Sequence, residues 1–236
     1  MGIDSSKLPL DVGIYSYPDA ARLLATTPRE LRRWFVGRKE KDALGDEHLS
    51  APLWKTQLSA AEIDGIGFRD LLEARLVAAF RKHGISLQAI RYAILEAKNL
   101  SLSDYPFTCR QFLTDGRRIF AKVQERTGDE SLIDIAKHQH VFNKIIEPSL
   151  YEGIDFDQRG GALRWFPVPK SKLIVIDPAI KFGQPVVAGS GVPISTLADA
   201  FKAERGNLNR VAKLFDVSRN AVAKAVKFAD RLASHD

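Results

Sequence analysis

The stretch YSYPDAARLLATTPRELRRWF, running from Tyr15 to Phe35, constrains this chain more than any other. Pro18 suits the first turn of a helix, where a backbone N–H is not needed. Ala20, Ala21, Leu23 and Leu24 give that helix an apolar face, and Ala25–Thr26 break it. Thr27 and Pro28 then form an N-cap and N1 pair, with Glu30 at N3 to complete a capping box. The second helix turns Leu31 and Trp34 inward, which forces Arg29, Arg32 and Arg33 outward near its start. Two short helices joined this tightly predict a helix-turn-helix, whose second helix reads base edges with its N-terminal residues. The alternative is a structural helix pair with solvated arginines.

Charge favours the nucleic-acid reading. Between Arg22 and Lys41 lie seven basic and two acidic residues, a local +5 in a chain of net charge +6. Such concentration on one motif is the footprint of phosphate contact. The segment after Phe35 is polar, with Gly37 and Gly45 as turn signals. It ends in an apolar–polar alternation around Leu53, Trp54 and Leu58. It reads as a β-hairpin wing that brings Arg38, Lys39 and Lys41 to the DNA backbone, or else as a disordered loop. The candidate DNA-binding set is therefore Thr27, Arg29, Arg32, Arg33, Trp34, Arg38, Lys39 and Lys41.

From Phe68 the pattern is helical. Leu71, Leu72, Leu76, Ala79 and Phe80 form one face and Gly84 ends it. Ser86 caps a second helix with Ile90, Ala93, Ile94 and Ala97 inward. The pair predicts an antiparallel helical hairpin ending near Leu100. Residues Phe107–Val123 read as a β-hairpin, with Asp115-Gly116 as the turn. SLIDIAKHQHVFNKIIEPSL is apolar with helical spacing up to Pro148. A short strand lies within Arg159–Lys170, and Val168–Ser171 reads as an interdomain linker. Beyond it, Leu173–Asp177 is one strand and Val186–Val187 another. Three helices follow: one capped by Ser195 with Leu197 and Phe201 inward, one from about Leu208 to Phe215, and one capped by Ser218. Val222, Ala225, Val226 and Ala229 face inward on the last. VAKLFDVSRNAVAKAV is itself helix-turn-helix-like, with Val217 in the turn.

The expected fold is mainly α with small β elements, an α+β chain. Residues 1–167 would form the winged-helix region with its helical and β-hairpin extension. Residues 172–236 would form short strands followed by a three-helix bundle.

Two resemblances sharpen this. The order of helix-turn-helix, wing and the hairpin LVAAFRKHGISLQAI resembles the MerR-type winged-helix family. Its R-x-L-R-x-aromatic pattern falls on Arg29, Leu31, Arg32 and Trp34, and the resemblance implies DNA contact by the arginines. MerR regulators dimerise through a long helix after the hairpin, whereas this chain changes pattern there. The C-terminal segment resembles the antitoxin domain called domain-of-unknown-function family 433. Ile176, Asp177, Pro178, Gly183, Pro185, Val186, Val187, Gly189, Val192, Pro193 and Ile194 carry the match. Gly191 departs from it, standing where the family usually has a bulky basic residue.

The two-domain order resembles the larger VapB-like antitoxins. That resemblance implies a PIN-like ribonuclease toxin as partner, operator DNA with an inverted repeat as target, and a homodimer. A nuclease site rich in carboxylates would suit a basic face, here Arg205, Arg210, Lys213, Arg219, Lys224 and Lys227, with Arg231 nearby. The helix beginning Ser218-Arg219-Asn220 could instead be a second DNA reader, or plain surface. The runner-up function is a stand-alone MerR-like transcriptional regulator.

Other chemistry finds little support. His138 and His140 share a face only on a strand, and no Cys/His cluster accompanies them, so no metal site is expected. His83 suits a helix C-terminus. Gly183, Gly189 and Gly191 are followed by no Gly-Lys-Ser/Thr step, so they make no P-loop. Asp129 and Glu130 read as solvated. No Ser/His/Asp set is identifiable, so neither catalysis nor a cofactor is expected. One cysteine, Cys109, rules out an intrachain disulfide. With no membrane-length apolar run and no signal pattern, a cytoplasmic protein is expected.

Overall fold

A computed structural model describes residues 11–41, 47–100, 104–146 and 153–234. Ten helices and six short strands are assigned among them, so the chain is mainly helical with small two-stranded sheets. It divides into two compact units. One comprises Met1–Ile14, Gly153–Asp155 and Leu163–Asp236; the other comprises Tyr15–Glu152 and Phe156–Ala162.

The second of these opens with α1 (Tyr17–Leu24) and α2 (Pro28–Phe35), followed by the antiparallel strands β1 (Arg38–Lys41) and β2 (Glu47–Ser50). Arg38 pairs with Ser50 and Lys41 with Glu47, which is the hairpin expected of a wing. Gly37 enters it with φ +87°; Gly45 lies outside the described residues. Then come α3 (Phe68–Lys82) and α4 (Leu87–Asn99). The Ser86 hydroxyl caps α4 by accepting from Ala89 N at 3.0 Å. The Gln57 side chain caps α3 by accepting from Arg69 N at 2.7 Å. Gly67 makes room for it, because a Cβ there would meet Gln57 Oε1 at 2.5 Å.

Residues 107–123 are not a hairpin. A 3-10 turn (Pro106–Thr108) leads into α5 (Phe112–Thr127). Phe112, Ile119, Phe120 and Val123 are all buried, a helical repeat of one face. Asp115-Gly116 gives no turn because Gly116 lies where aromatic rings press on the helix. A Cβ at Gly116 would come within 2.4 Å of Phe142 Cζ and 2.9 Å of Phe112 Cζ. Its glycine serves close packing, not a positive φ. The next apolar run breaks into α6 (Ile133–Lys137) and α7 (Gln139–Ile146), because His138 is extended at φ −118° and ψ 107°. Pro148 lies outside the described residues. Phe80, Phe107, Phe112, Phe120 and Phe142 form a connected aromatic cluster with centroid separations of 4.9–6.5 Å.

A hairpin does occur further on, between β3 (Ile154–Phe156) and β4 (Ala162–Trp165). In the C-terminal unit, β5 (Ile174–Val175) pairs antiparallel with β6 (Val186–Val187). Three helices follow: α8 (Ile194–Ala203), α9 (Leu208–Leu214) and α10 (Arg219–Ala233). Ser195 does not cap α8; Pro193 holds that position, and Ile194 already belongs to the helix. Leu197 is buried as expected, while Phe201 is half-buried. Among the described residues no helix is long and apolar enough to cross a membrane.

Candidate nucleic-acid interface

The interface is built from the turn between α1 and α2. Ser16 caps α1 by accepting from Asp19 N at 3.2 Å. Ala25 ends that helix in the left-handed region, with φ 51° and ψ 49°. Thr26 N then returns to Ala21 O at 3.1 Å, which closes the helix end. Thr27 Oγ1 accepts from Glu30 N at 3.1 Å and starts α2. Glu30 turns its carboxylate to Thr26, whose hydroxyl donates to it at 2.7 Å. Leu31, Trp34 and Phe35 are buried, and Phe35 meets Trp54 edge-on at 4.9 Å. Leu53 N donates to Trp34 O at 2.8 Å, so the chain leaving the wing is fixed to α2.

This packing decides what α2 can offer. Thr27, Arg29, Arg32 and Arg33 are exposed. Trp34 is only 3 % exposed and cannot touch DNA with its side chain. It seats the helix, and its inclusion among the candidate contacts is corrected on that ground. Arg32 lies 4.5 Å over the Tyr17 ring and donates to Asp64 Oδ2 at 3.1 Å. The two charges are well exposed, so their pairing is worth only about 0–1 kcal/mol and can be exchanged for a phosphate or a base. Burial raises the Tyr17 phenol above its usual value, Asp64 adds to this, and Arg32 opposes it.

Arg33 and Glu30 line a cleft of about 300 Å³ with Arg81, Ser86, Leu87, Gln88 and Arg91. Arg81 donates to Ile85 O at 2.7 Å, and Arg91 to Ala51 O at 2.7 Å and Pro52 O at 3.0 Å. These two arginines brace loops while adding positive charge beside α2. Sequence reading missed them, and it missed Asp64, because each sits on its own element with no periodicity tying it to α2. Arg38, Lys39 and Lys41 contribute their backbones to β1; their side chains lie outside the described residues.

Behind the interface sit two buried acids. Asp70 accepts from Trp54 Nε1, Gln57 N and Gly67 N, each at 2.9 Å. Glu73 accepts from Thr108 N and Thr108 Oγ1 at 2.8 Å and from Phe107 N at 3.3 Å. Burial raises both carboxyls against these hydrogen bonds, Glu73 to about 8. They act as acceptors for loop backbones. Burial likewise raises the Cys109 thiol, which disfavours the nucleophilic thiolate. The His138 and His140 rings lie 5.4 Å apart. Among the described residues no group of three or more His, Cys, Asp or Glu could hold a metal ion.

In the C-terminal unit, Arg205, Arg210, Lys213, Arg219 and Lys227 are exposed and Lys224 is half-buried. Arg210 Nε pairs with Glu204 at 3.0 Å. Arg231 lies 4.5 Å over the Phe228 ring, and burial lowers its pKa.

Residues 13–94 match the family described as "Putative DNA-binding HTH domain", and residues 174–229 match "Protein of unknown function (DUF433)". The chain joins a helix-turn-helix segment to a DUF433 segment. Across most of its length it is similar to "Putative antitoxin VapB45" of Mycobacterium tuberculosis strain ATCC 25618 / H37Rv. The identity is 26% over 215 residues, covering 86% of this chain and 88% of that protein. The fold is shared with the crystal structure of Rv2018 from Mycobacterium tuberculosis, at a TM-score of 0.69 and 24% identity. That match covers 93% of this chain and all of the other.

Proposed function

We propose that this chain is the antitoxin of a type II toxin–antitoxin system. It neutralises a PIN-like ribonuclease by direct binding and represses its own operon, acting as a cytoplasmic binding protein without catalysis. Residues 1–167 bind operator DNA in the manner of a MerR-like winged helix. Residues 172–236 dimerise and hold the toxin, with Arg205, Arg210, Lys213, Arg219, Lys224 and Lys227 as its basic contacts. A homodimer would set two α2 helices on half-sites about one DNA turn apart, or a multiple of it, so the operator is an inverted repeat.

The observation that carries the DNA reading is the α1–turn–α2 geometry. Its Thr27 cap and buried Leu31–Trp34 face leave Arg29, Arg32 and Arg33 pointing outward together. Similarity to a protein named as an antitoxin supports the toxin reading.

The test is co-purification of the full chain with the product of the adjacent gene, alongside gel shifts on the upstream DNA. A small nuclease that co-elutes and loses activity supports the antitoxin. DNA binding with no such partner supports a stand-alone MerR-like regulator instead. Unchanged DNA affinity in Arg29→Ala/Arg33→Ala removes α2 from the reader role.

A further inference from the structure

The turn between α9 and α10 repeats the turn between α1 and α2. In both, a non-glycine residue two positions before the N-cap takes a left-handed φ: 51° at Ala25 and 50° at Asp216. In both, the next N–H reaches back five residues, Thr26 to Ala21 O at 3.1 Å and Val217 to Ala212 O at 3.0 Å. In both, a hydroxyl cap accepts from the third helical N–H at 3.1 Å, Thr27 from Glu30 and Ser218 from Ala221. The buried positions correspond as well. Ala20 and Val211, five residues before the left-handed residue, are fully buried, as are Leu31 and Val222, four residues after the cap.

Charge repeats with geometry. Arg205 to Arg231 holds seven basic and two acidic residues, the same +5 as Arg22 to Lys41, while the rest of the chain is net negative. At the matching positions of α10, Asn220 stands where α2 has Arg29, Ala223 where it has Arg32, and Lys224 where it has Arg33; Asn220 is exposed and the other two are half-buried. Arg219 and Asn220 are exposed in the first turn.

We infer that α9–turn–α10 is a second reader of double-stranded DNA, with Asn220 and Ala223 facing bases and Arg219 and Lys224 facing phosphates. The side-chain chemistry selects an A·T pair. Asparagine bonds adenine N6 and N7 in the major groove, and an alanine methyl packs on the thymine methyl. Arg219 and Lys224 thereby pass from toxin contact to DNA contact, leaving Arg205, Arg210, Lys213 and Lys227 to a protein partner. The inference does not depend on α2 binding DNA.

The experiment uses the full chain with two duplexes, the region upstream of its own gene and a random sequence, across a salt series. Three variants are compared with wild type: Arg219→Ala/Lys224→Ala, Asn220→Ala and Arg29→Ala/Arg33→Ala. Arg29, Arg33, Arg219 and Asn220 are exposed and Lys224 is half-buried, so urea midpoints check that each variant stays folded. Arg219→Ala/Lys224→Ala should weaken binding to both duplexes and reduce the slope of log K against log salt by about 2. Asn220→Ala should cost roughly fivefold or more on the upstream duplex alone. Unchanged affinity and slope in both C-terminal variants, with loss in Arg29→Ala/Arg33→Ala, overturns the second reader and keeps the first. Loss of toxin co-elution by Arg219→Ala/Lys224→Ala with DNA binding intact returns α10 to the protein partner and also overturns it. No binding by wild type to either duplex at low salt removes both readers.

Discussion

Glu73 makes the stability of the N-terminal unit depend on pH in a direction opposite to most surface carboxylates. Its folded pKa is raised from 4.5 to about 8, first by burial and against the hydrogen bonds from Thr108 and Phe107. The folded state therefore holds a proton that the unfolded state releases above about 4.5. Stability is full below that value and falls as pH rises through about 8, by up to about 1.4 kcal/mol per pH unit. Across the window this amounts to about 5 kcal/mol. Asp70, also raised by burial, acts in the same sense. Glu73→Gln separates the two. Its carbonyl can keep both Thr108 bonds at 2.8 Å, and only the longer bond from Phe107 N is lost. The variant should be weaker than wild type at pH 5 by under about 1 kcal/mol. It should then lose much less stability up to pH 8, so that the two curves cross. Urea unfolding at half-unit pH steps gives the midpoints directly. Parallel curves for wild type and Glu73→Gln would refute the reasoning.

Other perturbations follow from local geometry. Gly116→Ala gains about 1 kcal/mol of helix propensity but drives a methyl into Phe142 and Phe112, both fully buried. Overpacking of about 1–3 kcal/mol should win, lowering the urea midpoint. Gly153→Ala meets Phe166 O at 2.4 Å at a φ of +92°, so it should lower Tm by more than Gly116→Ala, with the loss in the C-terminal unit. Asp64→Asn frees Arg32 and removes an acid beside α2. Stability should change by under about 0.5 kcal/mol, while DNA affinity in a gel shift should rise a few-fold. An affinity that falls would mean that the Asp64 pairing positions Arg32 for contact.

Capping made the helix-turn-helix legible. Thr27, Ser86 and Ser218 announce their helices because a hydroxyl before an apolar face has one strong local use. The wing hairpin followed from glycine and polar spacing around short strands. Asp115-Gly116 misled for the opposite reason: glycine is required there by rings far away in sequence, and no local pattern distinguishes that from a turn. The break at His138 was hidden because the apolar spacing continues through it. Trp34 was ambiguous between core and contact, and only its burial against the wing exit decides. The bracing of the interface by Arg91, Asp64 and Asp70 depends on contacts between separate elements, which a linear pattern does not carry.

From Leu24 to Thr27 and from Phe215 to Ser218 the two repeated turns differ in sequence at all four positions yet share one backbone shape, so what they hold in common there is a cost and its compensation. A non-glycine residue in the left-handed region costs about 1 kcal/mol, and neither turn uses glycine there. Ala25 bears that cost in full, whereas aspartate at 216 bears less because its short polar side chain tolerates the region. Both residues are exposed, so replacing either with glycine removes strain without opening a cavity. Ala25→Gly should therefore stabilise by some tenths of a kcal/mol, net of the entropy that glycine adds to the unfolded chain, and Asp216→Gly by less or not at all. That ordering is specific to a turn held left-handed by its flanking cap and back-bond. If Ala25→Gly instead lowers the unfolding free energy by about 1 kcal/mol or more, Ala25 is not strained, and the cost argued here for its left-handed φ does not hold.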